Sequence, residues 1–453
     1  MPLETVIGTS LNYYLIAFDA DGKECDGTQQ VSQKVIDILS TQPITDVFLI
    51  SHGWMGDISS AQKHYKEWIR TMADSHTDIE KIQQIRPEFH PLWIGLHWPS
   101  SPWSHEGLKA VVSYDITDNS QQQMIDDYAQ SIADTEVTRE ALRVIFTAAI
   151  EYKSAPDTLP LEVSQAYEVL LKEASLISDE EDADGWSQTE LLNLDPETVY
   201  QNILLEDTQD FSFGFTDTVK SAWDSFLGLP RLVSFWKMKD RARRIGETSG
   251  FNFLKKLQQT AAKTVRFHLM GHSFGCIFAS ATVAGNKQNN ALVRPVNSLV
   301  LVQGALSLWS FSAKIPYKNN LVGYFHSIIA QRKVAGAIIT TQSKHDSAVK
   351  LAYPVAGKLG LFAGQNIDTD VSSPPLPNVG GIGNYGIQGT DLDIINIDML
   401  PLQYSYNFQP QKIYNLESSQ YIYDPQANFV MGSHCVIDKP EIAHAVWSAV
   451  LSS

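Results

Sequence analysis

The chain has 453 residues, 19% of them charged and 43% hydrophobic, a balance that suits a globular protein with a sizeable core. Its formal net charge of −17 works against nucleic acid and the anionic cytoplasmic membrane surface as partners, and no run approaches the roughly 18 consecutive apolar residues of a membrane span. Cys25, Cys276 and Cys435 form neither a disulfide framework nor a metal-ligand spacing, and Met1–Thr5 carries no basic or apolar signal run, so a reducing, cytoplasmic setting is expected.

Short β-branched and apolar runs predict strands near 12–18, 44–51, 91–97, 265–270, 297–303, 336–342 and 411–416. Helices are predicted near 58–74, 246–262, 276–285 and 440–451. Strands that alternate with helices imply an α/β fold, with a mostly parallel central sheet covered on both faces. Residues 105–228 interrupt this order. They contain 26 acids and 6 bases, a net of −20, while the rest of the chain sums to +3. Apolar residues at three- and four-residue spacing predict helices over 121–153, 161–177 and 187–206. The expected organisation is a core of 1–104 and 229–453 with a helical insertion of 105–228. That insertion is either a cap over the site or a decoration with a solvated acidic face.

The most informative motif is Gly271-His272-Ser273-Phe274-Gly275. A strand-like segment precedes it and a helix-compatible segment, Cys276–Ala284, follows. In that context G-x-S-x-G is a nucleophile elbow, a sharp turn that exposes a serine at the end of a strand. The glycines allow the strained turn and the close packing of the helix.

On these residues the chain resembles the α/β-hydrolase superfamily over about 12–104 and 229–453. The resemblance implies a triad in the order Ser, acid, His. Asp346 follows the strand 336–342, where the family places its acid. His434 sits in a loop before the terminal helix, where the family places its histidine. Asp368, Asp370, Asp391 and Asp393 compete for the acid, but no strand immediately precedes them. His444 competes for the base, but lies within the final helix. The resemblance further implies an oxyanion hole from the backbone N–H groups of Phe274 and Trp54, the latter in His52-Gly53-Trp54 after the strand 44–51. Met55 and His97 are candidates for lining the substrate pocket. His272 is read as structural, His345 as a loop residue and Cys276 as core packing.

The residue types suit acyl chemistry. A serine hydroxyl is a weak nucleophile until a base takes its proton, and histidine has a suitable range. A carboxylate then orients the imidazole and stabilises the imidazolium. The implied activity is cleavage of a small-molecule carboxylic ester or related acyl bond through an acyl-enzyme. Acyl transfer or thioester cleavage on the same triad is the alternative, and a binding protein that kept the fold is a third. No cofactor and no metal are implied, and the oligomeric state is not legible. Gly380–Gly386 follows no predicted strand and opens no predicted helix, so it reads as a loop rather than a phosphate cradle.

Overall fold

The computed structural model describes residues 3–6, 8–9, 11–25, 30–54, 57–100, 118–176, 194–205, 222–316, 321–346, 376, 380–424 and 433–453. Among them, nine strands form one sheet: β1 (Leu3–Thr5), β2 (Asn12–Ala17), β3 (Asp46–Ser51), β4 (Pro91–His97), β5 (Arg266–His272), β6 (Ser298–Val302), β7 (Ile338–Gln342), β8 (Ile394–Asp398) and β9 (Ile413–Glu417). Their spatial order is β1-β2-β4-β3-β5-β6-β7-β9-β8. Only β1 runs antiparallel, against β2; the other pairings are parallel. The α/β architecture with a mostly parallel sheet is therefore as expected.

The central strands are continuous apolar runs because both faces of the sheet are covered. All six residues of β3 are buried. Successive side chains of a strand point to opposite faces, and β3 divides accordingly. Val47 and Leu49 join a core that includes helices Val31–Thr41, Phe251–Thr260 and Gly275–Ala284. Phe48 and Ile50 join another with helices Ile58–Asp74 and Pro440–Leu451. In the latter, Phe48 stacks on Trp93 at 4.2 Å between ring centroids and meets the edge of Trp447 at 5.6 Å.

The parallel arrangement gathers the carboxyl ends of β2 to β9 along one edge, the edge where open α/β sheets place their sites. Residues 52–54 leave β3 there, Ser273 leaves β5, Gln303 leaves β6, and Asp346 lies just past β7.

Several expectations require correction. The predicted helix 246–262 is the end of a much longer one. Helix Gly228–Ile245 runs through a π-helical turn, Gly246–Gly250, into Phe251–Thr260. A Cβ at Gly246 would lie 2.7 Å from Phe278 O and 2.8 Å from Ala281 Cβ. Glycine at 246 thus permits close packing on helix Gly275–Ala284. The predicted helix 121–153 is two helices, Asp118–Ile132 and Glu136–Glu151, and Thr135 caps the second by accepting from Thr138 N–H. Helices Val31–Thr41 and His76–Ile85 and strands β1 and β8 are additional. Residues 382–385 of the glycine-rich stretch form a short helix, where a loop was expected. Residues 178–185, an acidic run within 105–228, lie outside the described residues.

Within 105–228, helices Leu161–Leu176, Pro196–Leu205 and Ala222–Phe226 accompany the two just named. Their apolar residues, among them Tyr128, Leu142, Phe146, Tyr167, Leu170 and Tyr200, are continuous with the core that includes Val47. Polar contacts tie them to helix Gly228–Ile245: Ser234 Oγ donates to Ser131 Oγ at 2.9 Å, and Arg241 reaches Gln130 O at 3.0 Å and Pro99 O at 3.2 Å.

Candidate active site

Ser273 has φ +56°, in the left-handed region that a non-glycine residue seldom occupies. Its backbone is held from β6. Ser273 N–H donates to Val302 O at 3.1 Å, and Ala305 N–H donates to Ser273 O at 3.2 Å. The flanking glycines are required by contact. A Cβ at Gly271 would strike the backbone of Gly275, and one at Gly275 would strike the carbonyls of Ser51 and His52. Helix Gly275–Ala284 therefore starts immediately after the serine and lies hard against the end of β3. Phe274 precedes that helix and is 1% exposed. Among the described residues, nothing accepts from its N–H. Cys276 is buried, and its thiol donates to Gly271 O at 3.1 Å, consistent with core packing.

The His-Gly loop comes directly alongside. A Cβ at Gly53 would lie 2.7 Å from Ser273 Cβ and 3.2 Å from Ser273 Oγ. Glycine at 53 is what lets this backbone approach the hydroxyl. Trp54 follows, with its ring 6.0 Å from Phe274 and 5.5 Å from Phe235. Phe235, on helix Gly228–Ile245, is 4.8 Å from Phe274. An aromatic group thus adjoins the elbow, one member of it supplied by a helix outside the sheet. Met55 lies outside the described residues.

Asp346 and His434 are brought together. His434 Nδ1 donates to Asp346 Oδ2 at 2.8 Å, and the two side chains are 2% and 0% exposed. With the proton on Nδ1, Nε2 is left as the basic nitrogen. His434 also meets the elbow: His272 Nε2 donates to His434 O at 2.9 Å, and the two rings are 4.9 Å apart. His272 is structural, as expected, and the object it holds is the histidine loop. Among the described residues no hydrogen bond joins Ser273 Oγ to His434.

Two of the four rival acids are engaged elsewhere. Asp391 accepts from Ser312 Oγ and Ala313 N–H, and Asp393 pairs with Lys412. Asp368 and Asp370 lie outside the described residues. His444 is 1% exposed and bonded through Nδ1 to Asp78 at 2.8 Å, so it belongs to the core. His345 contacts the ring of Tyr423.

His97 is 6% exposed, and its Nδ1 lies 2.9 Å from His52 Nε2. A carbonyl can only accept, so the 2.8 Å contact of His52 Nδ1 with Gly53 O places a proton on Nδ1. His52 Nε2 then accepts from His97 Nδ1 and from Trp98 N–H. This places His97 as a support of the His-Gly loop. Burial pushes both histidines toward the neutral form: His97 falls to about 4 and His52 well below its ordinary value. His64, stacked on His272 at 5.0 Å, also falls to about 4 through burial and the nearby His434. His272 falls for the same reasons.

Gln303 was not found from the sequence. It is fully buried, has φ +48°, and donates from Nε2 to Asp346 Oδ2 at 2.7 Å. Its one sequence signal, a polar residue closing the apolar run Ser298–Val302, carries no information about its partner.

Among the described residues no group of three or more His, Cys, Asp or Glu side chains is placed to hold a metal ion, and no helix is long and apolar enough to cross a membrane. Compared with protein-family models, with curated proteins and with solved structures, the chain gave no match in any of the three.

Proposed function

We propose that the chain is a serine hydrolase of the α/β-hydrolase type that cleaves a carboxylic ester or related acyl bond. One observation carries the reading. A serine held at positive φ on a glycine-flanked strand-to-helix turn adjoins a loop whose histidine is bonded to a buried aspartate. The chain order Ser, Asp, His and their placement past β5, β7 and β9 agree with the resemblance noted in the sequence.

In the proposed reaction Ser273 Oγ attacks the substrate carbonyl carbon while its proton passes to His434 Nε2. Asp346, bonded to Nδ1, stabilises the imidazolium. The carbonyl oxygen becomes an oxyanion, which the N–H groups of Phe274 and Trp54 would receive. Collapse of the tetrahedral adduct breaks the bond to the leaving alkoxide, which takes the proton from His434. Water, deprotonated by His434, then releases the acid and regenerates Ser273. The aromatic side chains of Trp54, Phe235 and Phe274 favour an apolar acyl group.

A fluorophosphonate probe tests the reading, because only an activated serine is labelled. Labelling at Ser273 and turnover of p-nitrophenyl esters, both abolished in a folded Ser273→Ala variant, are the expected results. Undiminished turnover by that variant would refute the assignment, and transfer of the acyl group to an added alcohol in preference to water would reassign the enzyme to acyl transfer.

A further inference from the structure

We propose that Gln303 is a positioning residue that holds Asp346 in register with the nucleophile and tempers the charge the aspartate presents to His434. The proposal rests on the Ser273, Asp346 and His434 reading above, and concerns a residue that reading does not use.

Three features support it. The first is placement. Gln303 lies between Val302, whose carbonyl accepts from Ser273 N–H, and Ala305, whose N–H donates to Ser273 O. The segment that fixes the backbone of Ser273 is thus the segment that reaches Asp346, through the 2.7 Å bond from Gln303 Nε2 to Oδ2. A displacement of this segment would move the nucleophile and the acid together.

The second is a lock on the amide. Thr341 Oγ1 accepts from Gln303 N–H at 2.9 Å and also lies 2.9 Å from Gln303 Oε1. A hydroxyl that accepts from a backbone N–H still has its own proton to give, and Oε1 can only accept. The threonine proton therefore goes to Oε1, and the NH2 group must face the aspartate. The contact of Nε2 with Gly383 O at 3.5 Å agrees with this orientation. Gln303 and Thr341 are 0% and 1% exposed, so water offers the amide no alternative partner. The strained φ of +48° is maintained by these bonds.

The third is that both donors share one oxygen. His434 Nδ1 and Gln303 Nε2 both donate to Oδ2 of Asp346. A second donor draws charge from the oxygen that faces the imidazole. Without it, that oxygen would hold the imidazolium formed during attack more strongly.

The test is the pH profile of ester hydrolysis by Gln303→Leu, which keeps similar bulk and removes the donor. The expected result is a fall in kcat of about 10- to 100-fold from misplacement of the acid, with KM little changed. The acidic limb of the kcat/KM profile should also move to higher pH. A residue that served folding alone would lower the melting temperature and leave the limb in place. Gln303→Glu keeps the shape and sets a second carboxyl against Asp346, so its activity should be lowest where that group is ionised. Thr341→Val leaves Gln303 in place and frees its amide to turn; it should show a smaller loss in the same direction, and serves if Gln303→Leu does not fold. A folded, probe-labelled Gln303→Leu or Thr341→Val protein with unaltered kcat and an unmoved acidic limb would overturn the proposal. Failure of the wild-type protein to label at Ser273 would instead overturn the underlying reading, which separates the two outcomes.

Discussion

Gly53 is set so close to Ser273 that a single added methyl group would meet both the serine Cβ, at 2.7 Å, and its hydroxyl, at 3.2 Å. Ser273 is fixed by the strained elbow and Gly53 by the His52 network, so neither side can yield cheaply. Gly53→Ala is expected to lower kcat/KM about 100-fold by displacing the hydroxyl, with far-UV circular dichroism unchanged. A fully active Gly53→Ala protein would show that the loop is not part of the site. Asp346→Asn addresses the other end of the constellation. An amide at this position favours the wrong imidazole tautomer, and kcat should fall by about 10⁴. Near-normal turnover in Asp346→Asn, beside a severe loss in an Asp391 or Asp393 variant, would mean that another carboxylate does this work. At this scale the sequence was legible where chemistry and local geometry coincide. Ser273 is announced by its glycines, and Asp346 and His434 by chain order. Gln303 and the partner of His272 were not legible, because the groups they bond lie 43 and 162 residues away and are chosen by strand register and loop path.

Among the elements, helix Gly228–Ile245 has the largest consequence, and periodicity did not reveal it. Its sequence holds Arg231, Lys237, Lys239, Arg241, Arg243 and Arg244, which do not read as a buried face. Yet Arg231, Lys239 and Arg243 are each no more than 5% exposed. Ion pairs of Arg243 with Asp240 at 2.6 Å and Glu247 at 2.7 Å show how such a helix can be buried. Gly246 and Gly250 are points of close packing against Phe278, Ala281 and Thr282 of helix Gly275–Ala284. This helix carries Phe235 to the elbow and anchors the helices of 105–228. Phe146 and Leu170, natural choices for an inner face of a cap, are fully buried within those helices, Phe146 against Tyr128 and Trp223. Polar substitution there should cost stability, about 3 kcal/mol or more. Phe235 is the better probe of a covering role. Phe235→Ala should raise kcat/KM for long-chain relative to short-chain p-nitrophenyl esters, because it opens space beside Trp54 and Phe274. An unchanged chain-length profile would mean that this helix does not border the acyl group.

For the molecule as a whole, the buried histidines predict a definite response to acid. His52, His64, His97, His268 and His272 are all held below their ordinary value, chiefly by burial. In the unfolded chain each takes a proton near 6.5; in the folded protein protonation is deferred to lower pH, for His64 and His97 to about 4. Between those values the unfolded state binds more protons, so folding stability rises with pH there and is lost as pH falls below about 6.5. His97 alone should account for about 2 kcal/mol of lost stability at pH 5. His444 acts in the opposite sense. Its bonds to Asp78 and Tyr404 O raise it above its ordinary value despite burial, so its contribution is complete below about 6.5 and fades as pH rises through the folded value. Five groups against one leave acid destabilisation dominant. Urea unfolding should therefore show a midpoint that falls steeply from pH 7 to pH 5, well above the range where carboxylates titrate. His97→Asn should flatten that slope by up to one proton, about 1.4 kcal/mol per pH unit. A midpoint that stays level between pH 7 and 5 would mean that these imidazoles do titrate in the folded state, and that the packing around the His-Gly loop is open to water.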